Sequence, residues 1–390
     1  MASIREYEIL KYAYDLGGYK LSYGEQNEVD AVFVIIGSDD GHRGYGEANP
    51  WQPFTQESAD DVFSALENRL LPAVKALNST DPWRVQEFFD ETPEADLIAK
   101  GAINMALMDL EGKRQNKPVA ELLGPILRRA IEVSRPLNNG TAEDVIPVID
   151  QAIAEGYRHF MLKAGSKEYP ASGEVLRLAE LQRRYGDRAV FKIDANTGWP
   201  KEDARAFFQG LPDDLGAGYL RYVEEPIAKE DNAGVAELQK MTDVPIFADE
   251  RLTGVASAKA LIANNVVRGF SIKISKNGGI LTAQAIARLG TKAGMLIYPN
   301  SMAEGGITQA SSAHLMATLS NLVDAGGSYR SVLRLGGRDV TNFHEFIKRG
   351  DDGLVRAHLP EGPGLGIRID EQKLRAGAKK TYRSRVPMGR

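Results

Sequence analysis

The chain has 390 residues, a length that predicts two domains or one large barrel with an appendage. Its 48 basic and 53 acidic residues give a net charge of −5, which provides no electrostatic reason to hold nucleic acid or an anionic membrane. The sequence contains no cysteine, and this excludes disulfide bonds, thiolate zinc sites and a cysteine nucleophile.

The first section of the chain is expected to form strands. The apolar patterns of residues 4–12 and 29–36 each predict a strand, and the turn at residues 38–41 joins the second to a third strand at residues 42–48. The polar, Gly- and Tyr-containing residues 17–27 predict a loop. Charges occupy the start of the chain where a signal peptide would be apolar, and no apolar run is long enough for a membrane span. We therefore expect a cytoplasmic protein.

Two helices are predicted after these strands. The first has apolar residues at four-residue spacing from Val62 to Leu70, with Ser58 as its N-cap and Pro72 as the residue that bends or ends it. The second has one apolar face and is expected to stop at Gly112. Strands followed by helices indicate a small α+β domain.

From about residue 130, strand-like runs alternate with helical patterns, which indicates parallel βα units. A doubly wound open sheet shares this rhythm, but the number of repeats and the placement of polar residues favour a barrel. The helix after the first run is expected to open with the capping-box-like residues Thr141 to Asp144 and to end at Gly156. The seven runs cover residues 133–139, 159–165, 189–196, 219–227, 244–250, 269–275 and 295–301.

Acids and lysines recur at the ends of consecutive predicted strands, about one βα unit apart. Taken alone, each acid is more often a helix cap, and each lysine is more often a surface charge. Because the C-terminal ends of barrel strands meet at one mouth, the shared phase predicts a common site. The five residues are Lys163, Asp194, Glu224, Asp249 and Lys273.

Three carboxylates crowded together repel one another unless they are protonated or bound to a cation. Oxygen ligands without cysteine or histidine suit Mg²⁺, which can also hold a substrate carboxylate and neutralise the charge that appears when the α-proton leaves. A lysine that acts as the base needs a pKa well below its ordinary value of about 10.4. These residue types therefore predict proton abstraction next to a carboxylate.

The chain resembles the enolase superfamily, and within it the muconate lactonizing enzyme subgroup of the mandelate racemase/muconate lactonizing enzyme family. The resemblance implies a modified (β/α)₈ TIM-type barrel, written (β/α)₇β, with an N-terminal α+β capping domain. We expect the capping domain at residues 1–128, the barrel at 129–340 and a segment returning to the capping domain at 341–390. The resemblance is carried by Gly44–Ala48, Ala102–Asn104, Lys163, Asp194–Asn196, Val223–Pro226, Ala248–Glu250, Ile272–Lys273, Gly278–Ile280 and Pro360–Gly366.

The resemblance also implies roles for individual residues. Asp194, Glu224 and Asp249 match the three ligands of Mg²⁺, for which Mn²⁺ is an alternative, and Lys163 and Lys273 match the acid/base pair.

Several further residues match family positions around the metal ligands and the two lysines. Asn196 and Glu250 match positions beside the metal ligands. Glu304 and Asn300, near the end of the seventh strand, are candidates to contact the substrate, although a helix cap or a loop salt bridge is an equal reading for Glu304. Two capping-domain loops, near residues 16–27 and 49–55, bear on substrate choice, and their candidates to cover the pocket include Tyr23 and Trp51.

Two departures from the family pattern affect this interpretation. The subgroup commonly has a Lys-x-Lys pair on the second barrel strand, but Met161 stands at the first of these positions, which removes one charge that would lower the pKa of Lys163. Dipeptide epimerases carry Asp-x-Asp after the eighth strand, whereas residues 324–326 contain only Asp324, so a dipeptide substrate is disfavoured.

The mandelate racemase subgroup is disfavoured because it places a histidine after the seventh strand. His314 follows that strand but lies in a helical pattern, and His159 lies at the start of the second strand. Both are expected to be structural.

We therefore expect a metal-dependent isomerase that acts on a small carboxylate. Racemisation or epimerisation and cycloisomerisation rank close together, and dehydration of a β-hydroxy acid is third. The alternative from another class is a catalytically silent barrel that binds a carboxylate. Barrels of this kind are often assembled, so a homo-oligomer is compatible with the resemblance, and no interface is identified.

Overall fold

The structure is a computed structural model that describes residues 2–21, 24–52, 54–166, 169–212 and 219–385. Its strands form a four-stranded antiparallel sheet, a seven-stranded parallel sheet and a three-stranded antiparallel sheet. The architecture is a TIM-type barrel covered by an α+β capping region, as the sequence predicts.

The four-stranded sheet contains a long hairpin. Its strands β1 (Ile4–Leu21) and β2 (Gly24–Ser38) are followed by β3 (Arg43–Ala48). The loop predicted at residues 17–27 is wrong where the chain is described, because the two strands remain paired as far as Leu21 and Gly24. Polar composition does not prevent this, since the pairing uses backbone groups.

The helices of this region depart from the sequence prediction at Pro72 and at Gly112. Helix α1 (Ala59–Ala65) begins after Ser58, whose capping box with Asp61 confirms the predicted N-cap. The helical path then continues past Pro72, which lies in the first turn after a widened π-helical turn, where a missing N–H is tolerated. The remaining bounds are the π-turn Leu66–Leu70, α2 (Leu71–Ala76), α3 (Pro82–Asp90), α4 (Leu97–Gln115) and α5 (Val119–Leu123).

Helix α4 does not stop at Gly112. It continues to Gln115 and ends at Asn116, which adopts the left-handed conformation with φ of 52°. A Cβ atom at Gly112 would lie 2.7 Å from the Cα atom of Gly364. The glycine therefore allows a close approach of the C-terminal segment and does not end the helix.

All seven predicted barrel strands are confirmed, and they pair in chain order. Thr141 and Asp144 form the predicted capping box of the first barrel helix, and Gly156 ends it with φ of 97°. The strands are β4 (Ala130–Glu132), which precedes the barrel, then β5 (Ser134–Leu137), β6 (His159–Lys163), β7 (Val190–Asp194), β8 (Leu220–Glu224), β9 (Ile246–Ala248), β10 (Gly269–Ile272) and β11 (Leu296–Pro299). The helices are α6 (Ala142–Glu155), α7 (Ala171–Tyr185), α8 (Lys201–Gly210), α9 (Asn232–Lys240), α10 (Val255–Ala263), α11 (Gly279–Lys292) and α12 (Gly306–Met316).

Residues 322–327 take the place of an eighth strand. The N–H of Val323 donates to the carbonyl of Ile297 in β11 at 2.9 Å, and the N–H of Ser134 in β5 donates to the carbonyl of Gly327 at 2.8 Å. These hydrogen bonds join the two edges of the seven-stranded sheet and close the barrel.

The rest of the chain leaves the barrel and returns to the first sheet. It contains α13 (Ser331–Leu335), β12 (Ile347–Arg349), β13 (Val355–His358), α14 (Glu371–Ala376) and β14 (Ala378–Arg385). Strands β12 and β13 form the three-stranded sheet with β4, and β14 pairs antiparallel with β1. No helix within the described part of the chain is both long and apolar enough to cross a membrane.

Candidate active site

The five acids and lysines singled out by the sequence lie at the same end of neighbouring barrel strands. Lys163, Asp194 and Glu224 are the last residues of β6, β7 and β8 and are paired in register. Asp249 directly follows β9, and Lys273 directly follows β10. Parallel pairing of adjacent strands therefore brings all five to one mouth of the barrel.

Two of the carboxylates contact lysines. The Lys163 ammonium contacts Asp194, and the Lys273 ammonium contacts Asp249, which also accepts a hydrogen bond from Lys276 at 2.7 Å. Burial disfavours the charged form of Lys163 and Lys273, but the adjacent carboxylates outweigh burial and raise the pKa of both lysines. In this arrangement both side chains are therefore held as ammonium ions.

Glu224 is the third carboxylate and is completely buried. One of its oxygens accepts a hydrogen bond from the Asn300 amide at 2.7 Å. Burial, followed by repulsion from Asp194 and Asp249, holds the pKa of Glu224 well above its ordinary value. The three acids are therefore close enough to oppose each other's ionisation.

This donor set fits a hard divalent cation. Among the described residues, no three His, Cys, Asp or Glu side chains already surround one point as metal ligands. In this arrangement Asp194 contacts Lys163, and Asp249 contacts Lys273. These ammonium groups are cations held by the same carboxylates. Three buried carboxylates at neighbouring strand ends provide the oxygen ligands that Mg²⁺ prefers, and their mutual repulsion is relieved when a cation lies between them.

Asn196 and Glu250 lie beside this group. The Asn196 side chain accepts a hydrogen bond from Lys163 at 3.3 Å and donates one to Glu250 at 3.2 Å. Burial and the neighbouring acids Asp249 and Asp194 raise the pKa of Glu250 to about 8. Asn196 has a left-handed backbone with φ of 43°, which directs its own N–H to Asp194 at 2.9 Å.

The candidate substrate-contact residues lie in different surroundings. Asn300 and Trp51 line the cavity at the mouth of the barrel. Glu304 is buried behind the loop that follows β11, where it accepts hydrogen bonds from the Met302 N–H at 2.6 Å and from the Ser301 hydroxyl. Glu304 is absent from the described lining of the cavity, so its present contacts are those of a loop-stabilising residue. Tyr23 lies outside the described residues.

The cavity has a volume of about 760 Å³, large enough for a substrate of several carbon atoms beyond the reacting centre. Capping-region residues cover it, and barrel residues form its floor. From the capping region it is lined by Leu16, Trp51 and Phe54, and from the barrel by residues that include Met161, Lys163, Asp194, Asn196, Lys273, Asn300, Arg330, Ser331 and Arg334.

Met161 replaces the first lysine of the expected Lys-x-Lys pair, and its surroundings are apolar. It packs inside the barrel with a small cluster of aromatic side chains. Its register partner on β7 is Lys192, whose buried ammonium donates to the Ser134 hydroxyl at 2.6 Å and to the carbonyl of Ala325. Burial lowers the pKa of Lys192 to about 7. A lysine is therefore retained beside Met161, on the neighbouring strand, but burial disfavours its charged form.

Sequence reasoning missed a buried ion pair that supports Asp249. One oxygen of Glu225 accepts hydrogen bonds from the N–H groups of Asp249 at 2.8 Å and Arg251 at 2.9 Å, and the other pairs with the Arg251 guanidinium at 2.8 Å. Glu225 has φ of 43°, a conformation that sends its side chain away from that of Glu224. Two adjacent glutamates were visible in the sequence, but the division of roles between them was not.

Glu47, which lies within the motif Gly44–Ala48, connects the capping region to the barrel. It is completely buried and accepts hydrogen bonds from the Tyr14 hydroxyl at 3.0 Å and the Asn49 amide at 2.9 Å. It also accepts from the N–H groups of Gly305 at 2.9 Å and Thr308 at 3.1 Å, at the start of α12. A carboxylate from β3 thus caps the helix that follows the loop lining the cavity.

His159 and His314 lie away from the reacting groups. His159 lies at the opposite end of β6 and contacts Glu132 at 2.8 Å. His314 is buried in α12 between the N–H of Ala120 and the carbonyl of Leu365, each at 3.1 Å. Both positions are structural in this fold.

Comparisons with known proteins cover nearly the whole chain. The family model described as "Mandelate racemase / muconate lactonizing enzyme, N-terminal domain" matches residues 5–124, and the one described as "Enolase C-terminal domain-like" matches residues 146–373. Muconate cycloisomerase 1 of Pseudomonas putida is 28% identical over 369 residues, covering 93% of this chain and 94% of that protein. N-succinyl-L-Arg/Lys racemase of Bacillus cereus is 28% identical over 356 residues, covering 91% of this chain and 92% of that protein. The crystal structure of N-succinyl Arg/Lys racemase from Bacillus cereus matches with a TM-score of 0.87 and 25% identity, covering 98% of this chain and 100% of that one.

Proposed function

Because the chain belongs to the mandelate racemase/muconate lactonizing enzyme family of the enolase superfamily, and is an isomerase of that family, we propose that it removes the proton next to the carboxylate of a small substrate and returns it to the same carbon. The observation that carries this proposal is a pair of lysines on either side of the three acids. Lys163 lies beside Asp194, and Lys273 lies beside Asp249. Two bases on either side of one carbon suit racemisation or epimerisation.

The two lysines exchange roles with the direction of the reaction. The lysine on one face takes the proton, and the ammonium on the other face supplies one. A lysine that accepts a proton must first lose its charge, and contact with Asp194 or Asp249 opposes that loss. Release of the lysine from its carboxylate is therefore part of activation.

Asp194, Glu224 and Asp249 would hold Mg²⁺, with Mn²⁺ as an alternative. The chemistry that the cation supplies is neutralisation of the negative charge that develops on the substrate carboxylate as the proton leaves. Asn196 and Glu250 hold Asp194 and Lys163 in place through the hydrogen bonds described above.

Cycloisomerisation is the second candidate. It is supported by the similarity to muconate cycloisomerase 1, which covers 93% of this chain. In that reaction a single lysine transfers the proton, and the other stabilises charge. The two candidates therefore differ in how the loss of one lysine affects the reaction.

The deciding measurement is exchange of the α-proton in D₂O, followed by NMR with Mg²⁺ present. The panel contains N-acyl amino acids of both configurations, muconates and hydroxy acids. We expect Lys163→Ala and Lys273→Ala each to abolish exchange from one enantiomer and to leave exchange from the other measurable. The matched control is Lys240→Ala, which removes an exposed lysine at the end of α9 and leaves both rates unchanged.

Other outcomes point elsewhere. Loss of ring formation or ring opening in only one of the lysine variants, without racemisation of any substrate, supports the cycloisomerase. Full exchange in both lysine variants contradicts the proposed roles of Lys163 and Lys273.

A further inference from the structure

The cavity contains a second group of donors that the proton transfer does not use. Arg330, Ser331 and Arg334 all line it, directly after the segment that closes the barrel. The N–H of Arg334 donates to the carbonyl of Arg330 at 3.2 Å, so the two arginines are one helical turn apart. Residues at this spacing lie on the same side of a helix, which agrees with both arginines lining the cavity.

Two of these donors are buried without a partner. Neither Arg330 Nε nor the Ser331 hydroxyl has a hydrogen-bond partner among the described residues. Arg330 also makes no ion pair with a described acidic side chain. The described acidic residue that lines the cavity is Asp194, and it is engaged by Lys163.

A buried donor left unpaired is destabilising, and such groups normally have an acceptor. Adjacent guanidinium and hydroxyl donors match the oxygens of a carboxylate, which arginine binds in a planar, charge-assisted geometry. The same donors offer nothing to a cationic or apolar substrate end.

We propose that Arg330 and Ser331, supported by the charge of Arg334, bind a second carboxylate of the substrate, separate from the one next to the reacting carbon. The inference rests on the proposed function and deepens it, because it assigns the substrate to the dicarboxylates. The apolar side chains of Leu16, Trp51 and Phe54 cover the chain between the two charged ends.

Binding tests the inference without requiring turnover. N-succinylglycine and N-acetylglycine share the carboxylate next to the α-carbon and the amide, and the succinyl compound has one additional carboxylate. In isothermal titration calorimetry with Mg²⁺, we expect the full-length protein to bind N-succinylglycine about 10- to 100-fold more tightly, as one charged hydrogen-bonding site provides. Arg330→Gln should remove this difference and leave the affinity for N-acetylglycine unchanged.

Arg338→Gln is the matched control. Arg338 is one turn further along, pairs with Asp15 at 3.3 Å and is absent from the described lining of the cavity. This variant should retain the preference for N-succinylglycine. Equal affinity of the wild type for the two compounds, absence of binding by both, or a preference that persists in Arg330→Gln would overturn the inference.

The proton-exchange experiment separates this inference from the proposed function. Exchange that is equally fast for N-acetyl and N-succinyl amino acids, together with equal binding, retains the proposed function and rejects the second carboxylate site. Preferential binding of the succinyl compound without exchange retains the site and rejects the proton transfer.

Discussion

Arg177, on α7, fixes the backbone of Lys163, one of the two lysines proposed to transfer the proton. Its guanidinium donates to the carbonyl of Lys163 at 3.1 Å and to that of Gly140 at 3.0 Å. Glu174 contacts the guanidinium, and both side chains are completely buried. Burial raises the pKa of Glu174 to about 7, so the carboxylate depends on this arginine for its charge.

Replacement of Arg177 by methionine should therefore cost more than the lost hydrogen bonds. We expect Arg177→Met to lower the free energy of unfolding by about 3–5 kcal/mol, because it leaves Glu174 buried and unpaired. The double variant Arg177→Met with Glu174→Gln removes both charges and should recover part of that loss. Urea denaturation of the two variants measures the difference, and a double variant no more stable than the single one would contradict this account.

At the level of single residues, the sequence predicted those site residues that recur at the same position of successive strands. Lys163, Asp194 and Asp249 recur in phase with the strands, so their convergence could be predicted. Arg177 and Glu225 could not be found in the same way, because their partners are set by side-chain reach across the fold. The second carboxylate site was missed because nothing in a sequence marks a donor as unpaired.

At the level of elements, the contact between β3 and α4 depends on two glycines. A Cβ atom on Gly44 would lie 1.8 Å from the carbonyl oxygen of Ala106, and one on Gly46 would lie 1.8 Å from that of Ala102. No neighbouring side chain can move to relieve this overlap, because the obstacle is helix backbone. The strand and the helix therefore pack at a distance that only glycine permits.

Gly46→Ala should separate these two elements. We expect it to lower the free energy of unfolding by about 3 kcal/mol or more, at the upper end of overpacking effects, because backbone must move. The control is Gly337→Ala, since no heavy atom lies within 4 Å of a Cβ atom at that position. Thermal or urea denaturation distinguishes the two, and similar stability of both variants would contradict the packing argument.

Element prediction failed where a residue has more than one use. Gly112 resembles a helix end, but the C-terminal segment needs it for close contact. Residues 17–27 are polar, but their strands pair with each other through the backbone. The capping box predicted at Thr141 and the helix end predicted at Gly156 are confirmed, because capping is a local property of the chain.

At the level of the whole molecule, His314 joins three distant parts of the chain. Its Nδ1 accepts from the N–H at the start of α5, so its Nε2–H donates to the carbonyl of Leu365 in the C-terminal segment. Burial lowers the pKa of His314 to about 4. Protonation would add a proton where Nδ1 must accept one.

This histidine should make stability depend on pH in a defined window. The ordinary pKa is 6.5 and the folded value is about 4, so the unfolded chain binds a proton more readily. Its contribution is fully present above pH 6.5 and is lost as the pH falls toward 4, by up to about 3 kcal/mol. We expect His314→Gln to lack this component in urea denaturation at pH 7.5, 5.5 and 4.5. A parallel decline in both proteins would contradict this role.

The overall architecture could be predicted because alternating strands and helices leave few topologies. The closing segment, residues 322–327, could not, because it is held by isolated bridges and lacks a continuous strand pattern. It is held between β5 and β11, the two edge strands of the seven-stranded sheet, which are far apart in the sequence.

The pairing of β14 with β1 has a consequence for synthesis of the protein. The ribosome makes β1 before the barrel, but the partner strand β14 emerges only after the entire barrel has been translated. During elongation, the outer edge of β1 has backbone groups without a strand beside them, and such an edge can recruit foreign chains. A nascent chain truncated before Ala378 should therefore be bound by chaperones at the N-terminal sheet, and translation of the last strand should release them.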